Sequence, residues 1–357
     1  MALRSLDLQA QTLYAELLER VLTDTIPPFA SRASRAFVSK EVKGRRYWYV
    51  QYRDVSATRQ VYLGPETDQL LSVIESIRSS ALDHSEGLEK RRQLCSALVA
   101  MGAGSWPPAI MRVCERLAAQ GMFSSGAILV GTLAYGLSGV VLGFRFRAAN
   151  AMTNDLDFSF NPALELALPD APETDVPSAI DSLKMGFVPA LSLKSDNAST
   201  SFRVRDSDLR VDFLTTLRRS GKPVFMKRFN TAALPLPYMD YLIQAPLKAV
   251  IPFGAGILAN IPNPAHFAVH KLILGTLRPT RDQAKSRKDI EQASDVFEAL
   301  IETRPHDAND AMKDAWGRGP KWRKALQTGF RRMNKQRREA AAKLAEGAPM
   351  FGKIATD

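Results

Sequence analysis

A stretch of 19 residues without a single charge, from Gly126 to Phe144, constrains the fold of this chain more than any other segment. About 20 apolar residues suffice to cross a bilayer, so the stretch either spans a membrane or lies in a protein core. Its five glycines, together with Thr132, Tyr135 and Ser138, make it only mildly hydrophobic. We therefore favour a buried strand over Ala127–Val130, followed by a glycine turn and a helix.

The remaining composition is that of a globular protein. The 357 residues are 45% hydrophobic and 24% charged, which indicates one or two packed domains. Cys95 and Cys114 have no CxxC partner and no neighbouring histidine cluster, so the sequence indicates neither a disulfide framework nor a zinc site. The N-terminus carries charges every few residues and lacks the apolar run of a secretory signal. We expect a cytoplasmic protein that does not enter a membrane.

Positive charge predominates, with a net charge of +11 and an isoelectric point near 9.7. This balance favours polyanionic partners such as RNA, DNA or nucleoside triphosphates. The segment from Ala315 to Arg338 contains nine Lys and Arg residues and no acidic residue. Like charges one helical turn apart destabilise a helix that has no counter-anion, so we expect this segment to bind nucleic acid.

Apolar and polar patterns divide the chain into three regions. The N-terminal region, 1–120, combines an amphipathic helix, a β-hairpin within 42–63 and further helices. The core, 121–262, alternates β-rich and helical runs, which is typical of strands and helices around one sheet. The C-terminal region, 263–357, is helical and basic. The predicted fold class is therefore α+β, with a mixed sheet in the core.

Three aspartates stand in alternating polar and apolar runs. In the run NDLDFSF, a strand would point Asp155 and Asp157 to one face and their apolar neighbours to the core. Asp212 stands in a second such run, LRVDFL, and a neighbouring strand would bring it alongside. Clustered carboxylates repel one another unless a cation lies between them, and Mg²⁺ or Mn²⁺ suits oxygen ligands. These residues therefore predict a metal site.

The start of the predicted helix after Val130 offers a second kind of group. A glycine turn at Gly131 would present backbone N–H groups and a helix N-terminus, with the Thr132 hydroxyl as a further donor. Phosphate groups bind well to such helix starts. We therefore expect Gly131 and Thr132 to contact a nucleotide.

This pattern resembles the signature of nucleotidyltransferases of the DNA polymerase β superfamily. The resemblance covers roughly residues 127–215: an apolar residue, Gly131 and a small hydroxyl residue, then the pair Asp155 and Asp157, then Asp212 on a later strand. Thr132 stands where Gly or Ser is usual and keeps the hydroxyl. The gap before Asp155 is longer than in compact members, which suggests an insertion over 145–153.

Two further segments resemble particular bacterial branches. The run PAHFAVHKL with the later Arg281, Lys285 and Lys288 is similar to the helical half of AbiEii-like proteins, which include toxins of toxin–antitoxin systems. The N-terminal element YWYVQYR…VYLGPE resembles what precedes this domain in an uncharacterised bacterial branch, which is the closest match.

The resemblance implies a polymerase β-type core and a defined chemistry. Two divalent ions, Mg²⁺ or Mn²⁺, would bridge the carboxylates and a triphosphate, and NMP would pass from an NTP to an acceptor hydroxyl or phosphate. Asp155 and Asp157 would hold both ions, and Asp212 would bind one ion and assist as general base. RNA, such as tRNA, is the expected acceptor, and an antitoxin is a candidate partner. The phosphates would be bound by four basic residues, Lys271, Arg281, Lys285 and Lys288.

Other interpretations of the same residues stay open. The chain could be a nucleic-acid-binding protein on a degenerate nucleotidyltransferase scaffold, or a toxin that applies the same chemistry to tRNA or a phage target. His266 and His270 have the spacing of a helical zinc pair but no HExxH glutamate, so we interpret them as core or surface residues. Asp206 and Asp208 are predicted to form a hairpin turn. The aromatic and arginine residues around Trp48 could bind single-stranded nucleic acid, although a half-buried hairpin has the same composition.

Overall fold

The chain folds as an α+β protein with a mixed central sheet and a helical C-terminal part. The computed structural model describes residues 3–24, 36–42, 45–53, 58–147, 151, 153–161, 173–190, 198–217, 220–335 and 337–339. The predicted insertion over 145–153 lies partly outside these ranges, and so does the hairpin turn predicted over 56–58, whose last residue, Thr58, begins β4.

The N-terminal part combines helices with a small antiparallel sheet, as predicted. The sheet has the strand order β2–β3–β4, so the predicted hairpin gains one further strand. The break at Trp106-Pro107-Pro108 separates two helices because proline at a first helical position starts a helix and cannot continue one. The elements are β1 (Arg4–Ser5), α1 (Leu8–Asp24), β2 (Ala36–Val42), β3 (Arg45–Arg53), β4 (Thr58–Pro65), α2 (Asp68–Ala100) and α3 (Pro108–Ala119).

The uncharged stretch forms a buried strand and a buried helix, which confirms the core interpretation. Strand β5 (Ile128–Val130) passes directly into helix α4 (Gly131–Leu142), and no separate turn intervenes. The helix ends at Gly143, whose φ of 80° closes the last turn in the left-handed region that glycine tolerates. Among the described residues, no helix is long and apolar enough to cross a membrane.

The central sheet places the chemistry-bearing strands side by side. Its order is β11–β12–β10–β7–β5, with β10 parallel to both β7 and β12, while β9 pairs antiparallel with β10 and β8 with β9. Side chains alternate between the two faces of each strand, so Phe158 and Phe213 stack in the core at 6.0 Å between ring centroids. The strands and short helices are β6 (Phe144–Arg145), β7 (Asp155–Phe160), α5 (Val176–Asp181), β8 (Phe187–Pro189), β9 (Ser201–Val204), β10 (Arg210–Thr216), β11 (Val224–Met226), β12 (Thr231–Leu236) and α6 (Met239–Leu242).

A two-stranded antiparallel sheet leads into the C-terminal helices. Helix α7 begins at Pro264, where the Asn263 side chain accepts a hydrogen bond from the Ala265 N–H at 2.9 Å and caps the helix. The predicted helical stretch after Pro305 is two helices, because Gly319-Pro320 ends one and starts the next. The elements are β13 (Leu247–Ile251), β14 (Ile257–Ile261), α7 (Pro264–Leu277), α8 (Gln283–Thr303), α9 (Pro305–Gly317) and α10 (Pro320–Arg332).

One contiguous hydrophobic core runs through all three predicted regions. The Val250 amide of β13 donates a hydrogen bond to the Tyr14 hydroxyl of α1, and the two atoms lie 3.0 Å apart. Asn260 of β14 donates to the carbonyls of Phe123 and Ala127 at 2.8 and 2.7 Å, which satisfies buried polar groups beside β5. The helices that carry the cationic residues are therefore anchored to the sheet that carries the aspartates.

Candidate functional site

The three predicted aspartates lie on one face of two neighbouring strands. In the parallel register of β7 and β10, Asp157 is the partner of Asp212, and Asp155 is the partner of Arg210. Residues two apart on a strand share a face, so all four side chains point to the same side of the sheet. Their apolar neighbours Leu156 and Val211 are fully buried on the other side. The sequence prediction that a neighbouring strand brings Asp212 alongside is therefore confirmed.

Gly131 brings the start of α4 against Asp157. A Cβ atom at Gly131 would lie 2.1 Å from Asp157 Oδ2, and φ there is +71°. Both the close approach and the left-handed conformation require glycine. The preceding residue, Val130, supplies no side-chain cap, so the first N–H groups of α4 have no side-chain acceptor. Thr132, in the first turn, lines the same pocket as Asp157.

Burial and neighbouring like charges both raise the pKa of Asp157. Desolvation raises the pKa of this carboxyl most, and the Asp212 and Asp155 carboxylates raise it further, to about 7. Lys271 and Arg210 oppose the rise without cancelling it. A carboxyl whose ionisation is resisted in this way gains most from a nearby cation.

Arg210 already supplies positive charge to this cluster. Its Nη2 lies 2.5 Å from Asp212 Oδ2, and its Nε lies 3.7 Å from Asp155 Oδ1. The arginine side chain is half exposed. Arg210 stands two residues before Asp212 on β10, so the two side chains share a face. The same alternation that predicted the face of Asp212 therefore also indicates the position of Arg210.

The donor set suits a divalent cation, but the site is not preformed. Carboxylate oxygens on one face, one of them with a raised pKa, are what Mg²⁺ or Mn²⁺ binds. Across the described ranges, no three His, Cys, Asp or Glu side chains are grouped so that they could hold a metal ion. Arg210 contacts Asp212 Oδ2 and Asp155 Oδ1, two of the oxygens that an ion would need. Asp155 and Asp157 fit an ion that is also held by substrate oxygens.

Lys271, Arg278, Lys285 and Lys288 line the pocket with the aspartates and are here called the cationic wall. The buried carboxylate of Asp289 holds two of them. Asp289 of α8 is 3% exposed and accepts from Lys271 Nζ at 2.7 Å and from Arg278 Nε at 2.6 Å. Burial would raise the pKa of Asp289, but the Lys271 ammonium and the Arg278 guanidinium outweigh it and hold the pKa below its ordinary value. Asp289 and Arg278 were not predicted as site residues, because their meeting depends on how α7 and α8 pack.

The aspartates and this wall enclose a pocket of about 810 Å³. Most of the predicted residues line it: Gly131, Thr132, Asp155, Asp157, Asp212, Lys271, Lys285 and Lys288. Arg281 lies in the short 3₁₀ turn Thr280–Asp282 and is not among the described residues that line the pocket. Desolvation lowers the pKa of Lys288, which is consistent with its half-buried position at the wall.

His270 lines the same pocket one residue before Lys271. It is 4% exposed, and neither ring nitrogen has a hydrogen-bond partner among the described residues. Burial, with a smaller contribution from the Lys271 ammonium, lowers the pKa of the His270 ring to about 3, so this histidine is neutral. His266, one helical turn earlier on α7, has its Nε2 2.8 Å from Gln244 Nε2.

Two arginines of the basic C-terminal segment form ion pairs within the fold, which was not predicted. Arg337 binds the buried Asp295 at 2.5 Å and Glu298 at 3.3 Å, and Arg318 binds Asp240 and Asp314. Counter-charges that the local sequence lacks thus come from other helices in the fold. The expectation that the whole run faces nucleic acid is wrong for Arg337 and Arg318, whereas Lys321 and Lys324 of α10 are exposed.

An α+β protein in which paired carboxylates face a cationic wall across a pocket belongs to the class that handles phosphate-bearing substrates. The comparison with protein families makes this specific: the family described as nucleotidyltransferase matches residues 109–317, which is more than half of the chain. The chain belongs to this nucleotidyltransferase family and is a transferase. The match includes every predicted site residue and crosses the predicted region boundaries at 120 and 262. Searches of curated proteins and of solved structures found no match.

Proposed function

We propose that this protein is a metal-dependent nucleotidyltransferase with a DNA polymerase β-type core, close to the AbiEii-like branch. It transfers NMP from an NTP to an acceptor hydroxyl or phosphate and releases pyrophosphate. The observation that carries the proposal is the register that pairs Asp157 with Asp212, beside Gly131 and across the pocket from Lys271. Mg²⁺ or Mn²⁺, when bound, neutralises phosphate charge and lowers the pKa of the acceptor hydroxyl.

The cationic wall has a binding and orienting role in this scheme. Lys285 and Lys288 line the pocket on the same helix as Asp289, and all three project from α8 at helical spacing. Their positive charge attracts the triphosphate, while Asp289 holds Lys271 in one position. The uncapped N–H groups at the start of α4 provide further donors to a phosphate oxygen.

The reaction exchanges one phosphorus–oxygen bond for another. The acceptor oxygen bonds to the α-phosphorus, the bond to the β-phosphate oxygen breaks, and pyrophosphate leaves with that electron pair. The acceptor proton passes to a carboxylate, for which Asp212, the register partner of Asp157 on the neighbouring strand, is the candidate. The side chains of Leu234, Leu274 and Leu277 line an apolar part of the pocket.

RNA is the acceptor that we propose. The exposed Lys321 and Lys324 extend positive charge beyond the pocket, and the net charge of +11 favours a polyanion. A toxin or defence role would use the same chemistry, with an antitoxin encoded beside this protein. A pure nucleic-acid binder is disfavoured, because clustered carboxylates repel phosphates.

Label transfer tests this proposal. The protein is incubated with each α-labelled NTP, Mg²⁺ or Mn²⁺ and bulk RNA, and we expect label in RNA with one nucleotide preferred. Absence of transfer with every nucleotide and ion would sink the proposal, and so would transfer of label to RNA from γ-labelled NTP in a parallel incubation.

Asp212→Asn tests the role assigned to that residue. We expect kcat to fall at least about a hundredfold, because an acid–base or ion contact used in the transition state is lost. Affinity for the Mg–NTP complex should change by less than about threefold, as Asp155 and Asp157 remain. Near-normal turnover would remove Asp212 from the catalytic set, and Asp208 would be tested next.

A further inference from the structure

Arg210 competes with any cation for the carboxylates of this site. Its guanidinium contacts Asp212 at 2.5 Å and Asp155 at 3.7 Å, two of the three residues proposed to hold ions. Ion pairs with both carboxylates raise the pKa of the arginine against the opposing effect of burial, so it stays charged at any working pH. An ion that binds Asp212 Oδ2 must displace this contact.

We propose that Arg210 is a resident counter-cation that keeps the ion site closed in the free protein, so that the ion arrives together with an anionic nucleotide. This rests on the proposed function. The guanidinium is half exposed and lines the pocket, so it can move without unfolding its strand. An anion in the pocket offers it another partner, since guanidinium groups bind phosphate through two parallel hydrogen bonds.

The charges around the cluster explain why such a device is useful. Without Arg210, Asp155, Asp157 and Asp212 would face each other with Lys271 and Lys288 as opposing charges, and Lys271 is bound to Asp289. The carboxylates would then take up a free divalent ion. With Arg210 in place, the site resists that uptake until a substrate arrives that draws the arginine away.

A matched control lies on the next strand. Arg203 of β9 is the antiparallel partner of Arg210, lines the same pocket and has no ion pair with a described carboxylate. Arg210→Gln and Arg203→Gln each remove one positive charge from the pocket. Only the first removes a contact with the carboxylates, so the comparison separates direct competition from the general field of the pocket.

The test measures the binding of Mn²⁺ alone, by calorimetry or by electron paramagnetic resonance of free Mn²⁺, in full-length protein without nucleotide. We expect Arg210→Gln to bind Mn²⁺ at least about tenfold more tightly than wild type, which corresponds to about 1.4 kcal/mol. Arg203→Gln should change the dissociation constant by less than about threefold, because only the screened field is altered. Circular dichroism checks that both variants are folded.

Two outcomes would overturn the proposal. Unchanged or weaker Mn²⁺ binding in Arg210→Gln would show that the arginine does not hold the site closed. Equal tightening in both variants would show that the field of the pocket, and not the contact, sets the affinity. Either result leaves label transfer by the wild-type protein unaffected, whereas absence of transfer with every nucleotide would defeat the proposed function itself.

Discussion

At the scale of single residues, Asp157 combines poor solvation with two like-charged neighbours. Its pKa is raised to about 7, first by burial and then by Asp212 and Asp155. The folded state therefore holds a proton that the unfolded chain releases near its ordinary value of 3.8. Such a group contributes stability that is full below the unfolded pKa and is lost as pH rises through the folded pKa.

Asp157→Asn should therefore stabilise the ion-free protein while abolishing transfer. In EDTA, we expect its free energy of unfolding to match wild type near pH 4 and to exceed it by roughly 1–3 kcal/mol at pH 8. Denaturant titrations at several pH values measure the difference. A gap that stays constant between pH 4 and pH 8 would mean that the carboxyl does not titrate as inferred.

Asp289 is the carboxylate whose charge stabilises the cationic wall, through Lys271 and Arg278. Replacing it by Asn leaves the cations of Lys271 and Arg278 with a weaker, neutral partner. Water compensates little for this loss, since the two side chains are only 11% and 31% exposed. We expect Asp289→Asn to lose about 2–4 kcal/mol of stability and to weaken nucleotide binding. The control is Asp181→Asn, which breaks an ion pair with Lys184 that is 76% exposed on both sides and should change stability by less than about 1 kcal/mol. Equal losses in both variants would show that Asp289 does not organise the wall.

At the scale of elements, the faces of helix α7 contact different parts of the molecule. Lys271 and His270 face the pocket, Leu272 packs on Gly329 of α10, and Gly275 packs on Ile290 of α8. A helix of 3.6 residues per turn separates these faces, so neighbours in sequence serve different contacts.

His270 makes the stability of the folded protein sensitive to acid. Its folded pKa, about 3, lies below the ordinary value of 6.5, so the unfolded chain binds the extra proton and stability falls as pH drops from about 6.5 toward 3. His270→Phe should remove this part of the slope, up to about 1.4 kcal/mol per pH unit, and keep the ring volume. Unfolding titrations from pH 7 to pH 4 measure the slope, with the exposed His306→Phe as the control. An unchanged slope in His270→Phe would contradict the inference.

At the scale of the whole molecule, α8 gathers distant parts of the chain. Buried Asp295 accepts from Tyr135 Oη and from Arg337 Nη2, each at 2.5 Å. Glu298 accepts from the Leu3 amide at 3.1 Å and pairs with Arg337. The described N-terminal and C-terminal segments thus meet on the helix that carries the cationic wall, and Arg337 stabilises the fold.

The exposed lysines of α10 are the better candidates for polyanion contact. We expect the double variant Lys321→Gln/Lys324→Gln to weaken RNA binding and to reduce the slope of log affinity against log salt by roughly 1–2, because each lysine neutralises about one phosphate. Filter binding at several salt concentrations measures the slope. Lys184→Gln/Lys222→Gln on the core is the charge-matched control, and an equal reduction there would point to non-specific attraction.

The sequence by itself determined what depends on neighbouring residues. Alternation of polar and apolar residues predicted the strands of Asp155, Asp157 and Asp212 and the face they share, and proline and glycine predicted where helices begin and end. Only the tertiary structure decided which distant charges meet. Arg210 reaches the aspartates through strand register, Asp289 reaches Lys271 through helix packing, and Arg337 finds Asp295 across 42 residues. The physical reason is that local periodicity orients a side chain, whereas its partner depends on long-range packing that no short segment contains.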